Sequence, residues 1–379
     1  MKNILLATIA LFVVIGCTPS GPTKSDVTIN DRNPVTDQRI FAQINFLTDN
    51  PPITYQWTAT GGALDIPDIT PFSTYWTVPS VPGTYSLTCA ITDKEKKKAA
   101  YTFTIAVRER SLQSNLVEAN KVVLSITKES EYKTGGVWVS IKDNKLKFIN
   151  SQINEDSIWS KNFITMLNRT DPDTLLYTLW GVETTGRNIL ELTSSTETTL
   201  VCSTCYNTDT INTMARDVTN TSILWVGTDS GLNYYDPSTT TWTNYLLAQV
   251  NDLSEGPDYV YAATNNGVFR TDGKTIYGGD TCAVLAVASG TATNAATDVW
   301  SVVQGVVQKN GKQLDAQPSV VVCSLDVDPS GKIWCGKSWW DGSQWHVVPG
   351  LESVQIVKSV ASTEGLIYFL SDSGVLYRW

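Results

Sequence analysis

Short apolar runs separated by tight polar turns recur along most of the chain, most clearly in residues 223–245. Residues 223–226 are apolar, and the Asp-Ser-Gly sequence at 229–231 is typical of a turn. A second run at 232–235 leads through an Asp-Pro-Ser turn to an alternating segment at 241–245. Runs of this length between turn residues predict three antiparallel strands joined by hairpins. Because such a unit cannot bury both of its faces alone, we expect it to be repeated.

Six further segments align with this unit on the aromatic residue of the apolar run. The anchors of the seven units are Trp138, Tyr177, Trp225, Tyr261, Trp300, Trp334 and Tyr368. They recur about every 40 residues with several strands per unit, which is typical of a β-propeller. The runs before the anchors are rich in small and β-branched residues, and we predict that each forms the innermost strand of its blade. We therefore expect seven blades.

The repeat also resembles a known family. Residues 223–237 closely, and residues 259–270 and 366–377 well, match the propeller repeats of bacterial two-component sensor proteins. In those repeats an apolar-Trp-apolar-Gly-Thr strand is followed by a polar turn ending in Gly and a strand ending in Tyr-Asp-Pro. The resemblance covers residues 112–379 and implies a propeller. It leaves the function open, because propellers host many unrelated activities.

Residues 27–108 form a different unit. Alternating apolar residues place Tyr85, Leu87 and Cys89 on one face of a strand, with Tyr85 at the position of a tyrosine corner. Cys89 is expected to be a buried apolar residue without a disulfide partner. The Gly-x-Tyr strand, which follows a Tyr-x-Trp strand ending at Trp57, resembles the polycystic-kidney-disease-type immunoglobulin-like domain. The predicted fold class is therefore all-β, with an Ig-like β-sandwich followed by a seven-bladed β-propeller.

The N-terminus has the features of a targeting segment. Residues 1–17 carry a positive charge at Lys2 and an apolar run that is short for a membrane span. The Val-Ile-Gly-Cys ending resembles the bacterial lipobox, which implies cleavage before Cys17 and a lipid on its sulfur. An uncleaved anchor is the alternative. Residues 18–26 suit a flexible tether. Thr18 replaces the Asp that retains some lipoproteins in the inner membrane, which favours the outer membrane, with the domains in the periplasm or at the cell surface.

The composition of the chain argues against several classes of function. The formal net charge is −9, with 37 acidic and 28 basic residues, which disfavours nucleic acid as a partner. The single histidine, His346, excludes a Ser-His-Asp triad elsewhere and a zinc site with several histidines. The sequence contains no phosphate-binding glycine motif. We therefore predict no cofactor, no metal and no catalytic residue.

The cysteines allow several pairings. Cys202 and Cys205 have redox spacing but lie between strands, so the alternatives are a local disulfide and two free thiols. Cys323 and Cys335 lie symmetrically about a turn and could bond across a hairpin or remain buried thiols. Cys282 has no obvious partner.

The sequence from Asp326 to Gly331 begins like a calcium-binding loop, with Asp328 and Ser330 as further oxygen ligands. Lys337 stands where such a loop would have its glutamate. An Asp-Pro-Ser-Gly sequence is also an ordinary type I turn, and we favour the turn.

Two groups of residues are candidate ligand contacts. Trp339 and Trp340 could present flat faces to a sugar ring, or could pack between blades. The second group lies in polar turns between second and third strands, which we expect around one opening of the propeller: Asp143, Asp229, Asn265, Asn266 and Asp372. These residue types are also what tight turns require.

Together these features predict a membrane-anchored lipoprotein that binds a glycan or an envelope protein without catalysis. A propeller polysaccharide lyase or glycoside hydrolase acting through paired carboxylates is the enzymatic alternative. A scaffold within an envelope assembly complex is the third.

Overall fold

The computed structural model describes residues 22–47, 51–65, 71–114, 116–118, 120–128, 136–143, 145–150, 154–156, 161–170, 177–183, 188–193, 196–201, 210–220, 222–288 and 297–379. All regular structure in these residues is β-strand, which confirms the predicted all-β class. Within the same ranges, no helix is long and apolar enough to cross a membrane.

The first seven strands form two antiparallel sheets. They are β1 (Thr23–Ile29), β2 (Arg39–Leu47), β3 (Thr54–Ala59), β4 (Ala63–Asp65), β5 (Ser73–Thr77), β6 (Gly83–Thr92) and β7 (Lys98–Val107). One sheet has the order β1-β2-β5-β4 and the other β3-β6-β7. Alternating residues of both sheets share one core, which includes Trp57, Trp76, Leu87 and Phe103. We call β1–β7 the N-terminal sheet pair.

Seven further antiparallel sheets follow in the described residues, numbered 1 to 7 in chain order. Sheet 1 contains β8 (Val123–Lys128), β9 (Gly136–Ile141), β10 (Lys145–Asn150) and β11 (Asn154–Asp156), and sheet 2 contains β12 (Phe163–Thr170), β13 (Tyr177–Glu183), β14 (Asn188–Leu192) and β15 (Glu197–Val201). Sheet 3 contains β16 (Ile211–Arg216), β17 (Leu224–Thr228), β18 (Leu232–Asp236) and β19 (Thr241–Leu246), and sheet 4 contains β20 (Val250–Glu255), β21 (Val260–Thr264), β22 (Gly267–Arg270) and β23 (Lys274–Gly278). Sheet 5 contains β24 (Thr281–Ala288), β25 (Thr297–Val303), β26 (Val306–Lys309) and β27 (Lys312–Gln313). Sheet 6 contains β28 (Leu325–Val327), β29 (Ile333–Cys335), β30 (Ser338–Trp340) and β31 (Trp345–Val347), and sheet 7 contains β32 (Ile356–Ala361), β33 (Ile367–Ser371) and β34 (Leu376–Arg378).

The first strands of the seven sheets form a closed ring. Each contacts the first strand of the next sheet, and β32 contacts β8. The repeated sequence explains the close packing: a Cβ on Gly227 would lie 2.5 Å from Val250 of the next sheet, so only glycine fits there. At the end of the same strand, the Thr228 hydroxyl donates to the Gly231 carbonyl and accepts from the Gly231 amide, which holds the following turn.

The anchor residues lie in the second strands, as the alignment predicts, with one correction. In sheet 2 the residue equivalent to Trp225 is Trp180, which pairs with Leu167, and not Tyr177, which pairs with Thr170 at the start of its strand. Trp180 is buried like the other anchors.

A β-bulge recurs in the first strand of six sheets. The residues that it leaves without a partner are Leu124, Ile164, Asn212, Asn251, Cys282 and Val357. Bulges bend a strand and re-aim a side chain, and they are common at the rims of barrels and beside functional sites. The recurring bulges therefore make the ends of these strands a candidate location for a functional site.

The first and last sheets close the ring. The amide of Gln113 donates to the Arg378 carbonyl (2.8 Å), and the amide of Arg378 donates back (2.9 Å). The segment before sheet 1 thus pairs with the C-terminal strand through a single bridge and not as a full strand. Val123 also donates to the Gly374 carbonyl (2.9 Å).

The N-terminal sheet pair docks against one end of the ring. The Arg39 amide donates to the Glu364 carbonyl (2.7 Å), and the Arg110 guanidinium donates to the carbonyls of Thr36 (2.7 Å) and Gly365 (2.9 Å). These contacts involve the turn between the first and second strands of sheet 7. Residues 23–26, which the sequence analysis assigned to the tether, belong to β1 because they pair with β2.

The observed disulfide differs from the sequence analysis. Cys282 of sheet 5 bonds to Cys323, which precedes sheet 6, whereas Cys335 is a buried free thiol. The predicted alternative of a Cys323–Cys335 bond is therefore wrong: the bond joins neighbouring sheets and does not cross a hairpin. Cys89 is buried and free, as predicted. Cys17, Cys202 and Cys205 lie outside the described residues.

Candidate functional site

Two large cavities lie on the described part of the ring. The larger, of about 720 Å³, is a central channel lined by residues of all seven first strands. The smaller, of about 370 Å³, is a cleft between the N-terminal sheet pair and sheets 6 and 7. Arg39 of the N-terminal sheet pair lines both cavities.

The two ends of the channel differ. At one end, the turns between second and third strands hydrogen-bond to the segments that lead into the first strands. The amides of Asp229, Asn265 and Asp372, for example, donate to carbonyls 3.1–3.3 Å away in those segments. We call this end the mouth face and define it by the turns at 142–143, 229–231, 265–266, 304–305, 336–337 and 372–374. The N-terminal sheet pair occupies the opposite end, through the contacts of Arg39 and Arg110.

The mouth face carries all five predicted turn residues, and each of their side chains is exposed. Asp143 forms an ion pair with Lys121 (3.2 Å). Asp229 accepts a hydrogen bond from the Asn212 side-chain amide (3.0 Å), which joins it to the rim of the channel. Asn265, Asn266 and Asp372 lie in the corresponding turns of sheets 4 and 7. The structure therefore brings these residues to one end of the ring, distributed over sheets 1, 3, 4 and 7.

Two amides stand beside each other at the rim. Asn212 and Asn251 occupy the bulges of sheets 3 and 4 and line the channel. The Asn212 amide nitrogen also donates to the Val250 carbonyl (3.0 Å), and that of Asn251 donates to the Thr281 carbonyl (2.8 Å). Because the nitrogens are bound to neighbouring sheets, the side-chain oxygens remain as hydrogen-bond acceptors at the rim.

The channel wall carries charged residues that also join neighbouring sheets. Asp326 Oδ2 accepts from the Ala361 amide (2.8 Å), and its other oxygen lies 3.4 Å from Lys128 Nζ. Asp252 Oδ2 accepts from the Val284 amide (3.1 Å). Both carboxylates thus fasten one first strand to the next.

Burial and charge shift the pKa values in this wall. Burial raises the pKa of Asp252 to about 7, although its hydrogen bonds and the Lys358 ammonium act in the other direction. Burial lowers the pKa of Lys358, against the attraction of Asp252 and Asp326. Asp326 raises the pKa of Lys128. Lys358 lines the channel, where the charges of Asp252 and Asp326 attract its ammonium.

The two predicted tryptophans do not form one platform. They are neighbours in β30, so their side chains leave opposite faces of the strand. Trp340 packs against Trp345 and the core between sheets 5 and 6. Trp339 packs toward sheet 7 and lines the cleft.

The cleft surrounds a stack of two rings. His346 lies parallel to Trp339 with 4.4 Å between ring centroids, and His346 Nε2 lies 2.6 Å from Asp341 Oδ2. The Lys332 ammonium stands 4.9 Å from the centre of the Trp339 ring. Trp339 therefore already contacts an imidazole and a cation. His346 lies half-buried in β31, the outermost strand of its sheet.

Asp328 supports the turn interpretation of the calcium-like sequence. Its Oδ1 accepts from Ser330 and Lys332 amides (2.9 and 3.1 Å), and its Oδ2 accepts from Trp334 Nε1 (3.1 Å). Asp326 instead faces the channel. Among the described residues, no group of three or more His, Cys, Asp or Glu side chains could hold a metal ion.

The polar residues of the channel were not predicted from the sequence, which indicated innermost strands of small and β-branched residues. Five of them line the channel: Asn212, Asn251, Asp252, Asp326 and Lys358. Polar residues in the most crowded part of a ring need a partner or a function, and that requirement was the available signal.

Comparison with known proteins supports the fold. The extracellular domain of BT3049, described as a hybrid two component system from B. thetaiotaomicron, matches with a TM-score of 0.52 and 12% identity, over 92% of this chain and 51% of that domain. The streptogramin B lyase structure matches with a TM-score of 0.51 and 12% identity, over 71% of this chain and 96% of that one. The chain has a β-propeller-like repeat architecture.

A second B. thetaiotaomicron extracellular domain, BT4673, matches with a TM-score of 0.48 and 16% identity, over 71% of this chain and 39% of that domain. The chain thus spans less than two thirds of the length of the two extracellular domains. No family model and no curated protein matches the sequence.

Proposed function

We propose that the protein is a non-catalytic recognition module of the bacterial envelope, in which a seven-bladed β-propeller binds a glycan or a protein at its mouth face. One observation carries this proposal. One end of the channel is occupied by the N-terminal sheet pair through Arg39 and Arg110, whereas the other presents exposed polar turns around a cavity of about 720 Å³. A ligand can therefore reach the channel from the mouth face.

Seven blades and an immunoglobulin-like N-terminal domain are part of this proposal. The seven sheets and their cyclic contacts support the blade number. For the N-terminal sheet pair, the Tyr85 hydroxyl donates to the Val81 carbonyl (2.9 Å), which is the contact that defines a tyrosine corner. Such a domain would hold the propeller away from its attachment point.

Attachment is proposed at Cys17, through a lipid in the outer membrane. The support is the resemblance of residues 14–17 to a lipobox, together with the extracellular location of the BT3049 domain. Several acyl chains anchor a protein firmly, whereas one does so marginally. Replacement Cys17→Ala should move the protein from the membrane fraction to the soluble fraction. An unchanged distribution would overturn the anchor without affecting the recognition site.

The recognition site is tested with glycan and peptide arrays probed with the full chain in detergent. The test variant replaces Asp229, Asn265, Asn266 and Asp372 together by Ala. The matched control replaces four exposed turn residues away from the mouth face by Ala: Ser238, Thr239, Ser343 and Gln344. We expect the test variant to lose binding and the control to keep it. Equal binding by both variants would overturn the assignment to the mouth face.

A lyase or glycoside hydrolase is the second candidate, because Asp252 and Asp326 both lie in the channel and Asp252 has a pKa near neutrality. A carboxylic acid with such a pKa is suited to donate a proton. Both carboxylates, however, accept amide hydrogen bonds from a neighbouring sheet, which favours a role in holding the ring. Product formation from an array-selected glycan that disappears in Asp252→Asn and Asp326→Asn would establish the enzyme instead.

A further inference from the structure

The mouth face combines aliphatic surface with an excess of acidic groups. Eight large hydrophobic residues are exposed in the described part of the chain. Five of them lie at the mouth end of the ring, either in the segments before first strands, at the start of a first strand or directly after a mouth-face turn: Val122, Leu247, Val320, Val357 and Val375. Leu247 is 70% exposed and Val357 is 44% exposed. Concentration of exposed apolar side chains at one end of a protein marks an interaction site.

These side chains adjoin the channel. Val357 lines it, and so does Cys323, whose disulfide partner Cys282 occupies the bulge of sheet 5. Val122 and Val375 flank Gly374, since a Cβ on Gly374 would lie 2.5 Å from Val122. The rim is therefore aliphatic on sheets 7 and 1, and carries a disulfide on sheets 5 and 6 and two amides on sheets 3 and 4.

The chemistry of this rim differs from a sugar platform. Sugar rings stack on flat aromatic faces, but the exposed hydrophobic residues of the described mouth face are aliphatic. The predicted tryptophans lie elsewhere, with Trp339 in the cleft near the N-terminal sheet pair and Trp340 packed on Trp345. A polypeptide offers aliphatic side chains for such a rim and backbone N–H groups for the oxygens of Asn212 and Asn251.

The mouth face carries more acidic than basic residues. Its exposed acidic residues are Glu118, Asp143, Asp229, Asp280, Glu352 and Asp372, and its basic residues are Lys121, Lys142 and Lys145 together with Lys337, which is buried and bound to three carbonyls. Two of the lysines are already paired, Lys121 with Asp143 and Lys145 with Glu118. The other four acidic residues make no ion pair with a described residue. A complementary partner surface is consequently basic.

We infer that the mouth face docks a basic polypeptide segment with aliphatic side chains, presented by a partner protein. The aliphatic side chains rest on Leu247 and Val357 around the rim, and the lysine or arginine residues of the segment face the acidic turns. This inference rests on the proposed recognition function and selects protein over glycan as the ligand.

The experiment uses an array of 12-residue peptides in which the numbers of aliphatic and basic residues vary independently, together with a glycan array, both probed with the full chain. Binding should increase with both aliphatic and basic content and should weaken as salt is raised, because exposed charge pairs are screened. For the best peptide, the double variant Leu247→Ser/Val357→Ser should raise Kd about tenfold or more, the range expected for a central interface contact.

The matched control is Val81→Ser, which removes a side chain of similar exposure (62%) from the N-terminal sheet pair. Its Kd should be unchanged. Peptide binding that ignores basic content or survives the double variant overturns the inference. Binding to glycans but not to peptides also overturns it, while leaving the proposed recognition function in place. Binding to neither array overturns both.

Discussion

The indole Nε1 of Trp225 donates a hydrogen bond to Asp217 Oδ2 over 2.9 Å. Asp217 directly follows the first strand of sheet 3, and Trp225 is the anchor residue of the second strand. The other carboxylate oxygen of Asp217 accepts hydrogen bonds from the amides of Thr219 and Asn220 (both 2.9 Å). These bonds close the turn between the two strands. Sheet 6 repeats the arrangement with Asp328 and Trp334. One carboxylate therefore orders a turn and satisfies the polar atom of a buried indole.

Replacement Asp217→Ala should lower the free energy of unfolding by about 1–3 kcal/mol, because it leaves the Trp225 N–H buried without an acceptor. Burial acts to raise the pKa of Asp217, but its hydrogen bonds together outweigh burial and lower that pKa. Its stabilising contribution is therefore present above about pH 4 and is lost as the pH falls. Urea unfolding at pH 7 and pH 3 measures both effects. Asp236→Ala is the control, since Asp236 caps an exposed turn without contacting an indole; an equal loss in both variants would refute the role of the indole.

Lys337 should be required for the connection between sheets 6 and 7. It is buried, and its ammonium donates to the carbonyls of Leu351 (2.9 Å), Glu352 (2.6 Å) and Val354 (3.0 Å). Lys337→Met removes the Lys337 donor from the carbonyls of Glu352 and Val354, while the Leu351 carbonyl keeps the Val354 amide (3.1 Å). We therefore expect a loss of roughly 2–4 kcal/mol in thermal or urea unfolding. Lys142→Met, at an exposed position of the equivalent turn in sheet 1, should change stability by less than about 0.5 kcal/mol. Similar losses in the two variants would contradict this account.

Peptide mapping identifies the disulfide pairing directly. Proteolysis without reduction, followed by mass spectrometry, should recover Cys282 linked to Cys323, and alkylation after unfolding should label Cys335. Burial raises the pKa of the Cys335 thiol to about 11, so the folded protein should react slowly there. The double variant Cys282→Ser/Cys323→Ser should lose about 2–4 kcal/mol. Recovery of Cys323 linked to Cys335 would show that the pairing between sheets is wrong.

Asp252 should make stability depend on pH in the direction opposite to Asp217. Because its pKa in the folded protein is raised from 3.8 to about 7, the folded state holds this proton more tightly than the unfolded chain. Its contribution is thus fully present below about pH 4 and decreases as the pH rises toward 7. Asp252→Asn should remove this part of the dependence, and Asp372→Asn, at an exposed turn, should not. Parallel stability curves for wild type and Asp252→Asn between pH 4 and pH 8 would contradict the assignment.

Removal of residues 375–379 should open the ring. The deletion removes Leu376 from the core between sheets 1 and 7, and with it Arg378, which donates to the carbonyls of Gln113 and Asn150. We expect calorimetry to show loss of a single cooperative transition, because the exposed edges of sheets 1 and 7 would have lost their partners. Lys312→Ala, in an exposed outer strand, is the control. An unchanged melting curve after the deletion would rule out closure by this strand.

The sequence predicts the strands and turns that form within a single repeat. It does not predict the contacts that form between neighbouring sheets. The alternation around Trp225 identifies the second strands, and the Gly-Thr pair at 227–228 identifies the turn that follows. Sheet 2 misleads because Tyr177 and Trp180 both fit an aromatic anchor, and only the pairing of Trp180 with Leu167 distinguishes them. The Cys282–Cys323 bond could not be predicted from one repeat either, because it depends on which first strands are adjacent.

The same distinction between features of one repeat and contacts between sheets applies to the candidate site. The turn residues at the mouth face could be located from turn chemistry, because each lies within its own repeat. The cleft beside Trp339 could not, because it exists only where the N-terminal sheet pair docks on sheets 6 and 7. The fastening role of Asp252 likewise depends on Val284 of the next sheet.

Amide hydrogen exchange tests the central claim, that ligand binds at the mouth face, most directly. The full chain is measured with and without a saturating amount of the ligand selected on the arrays. Binding should slow exchange in peptides covering residues 228–231, 247–252 and 355–358, and should leave peptides covering residues 330–332 and 339–346 unchanged. Slower exchange confined to residues 330–332 and 339–346 would place the ligand in the cleft beside Trp339 and contradict the account.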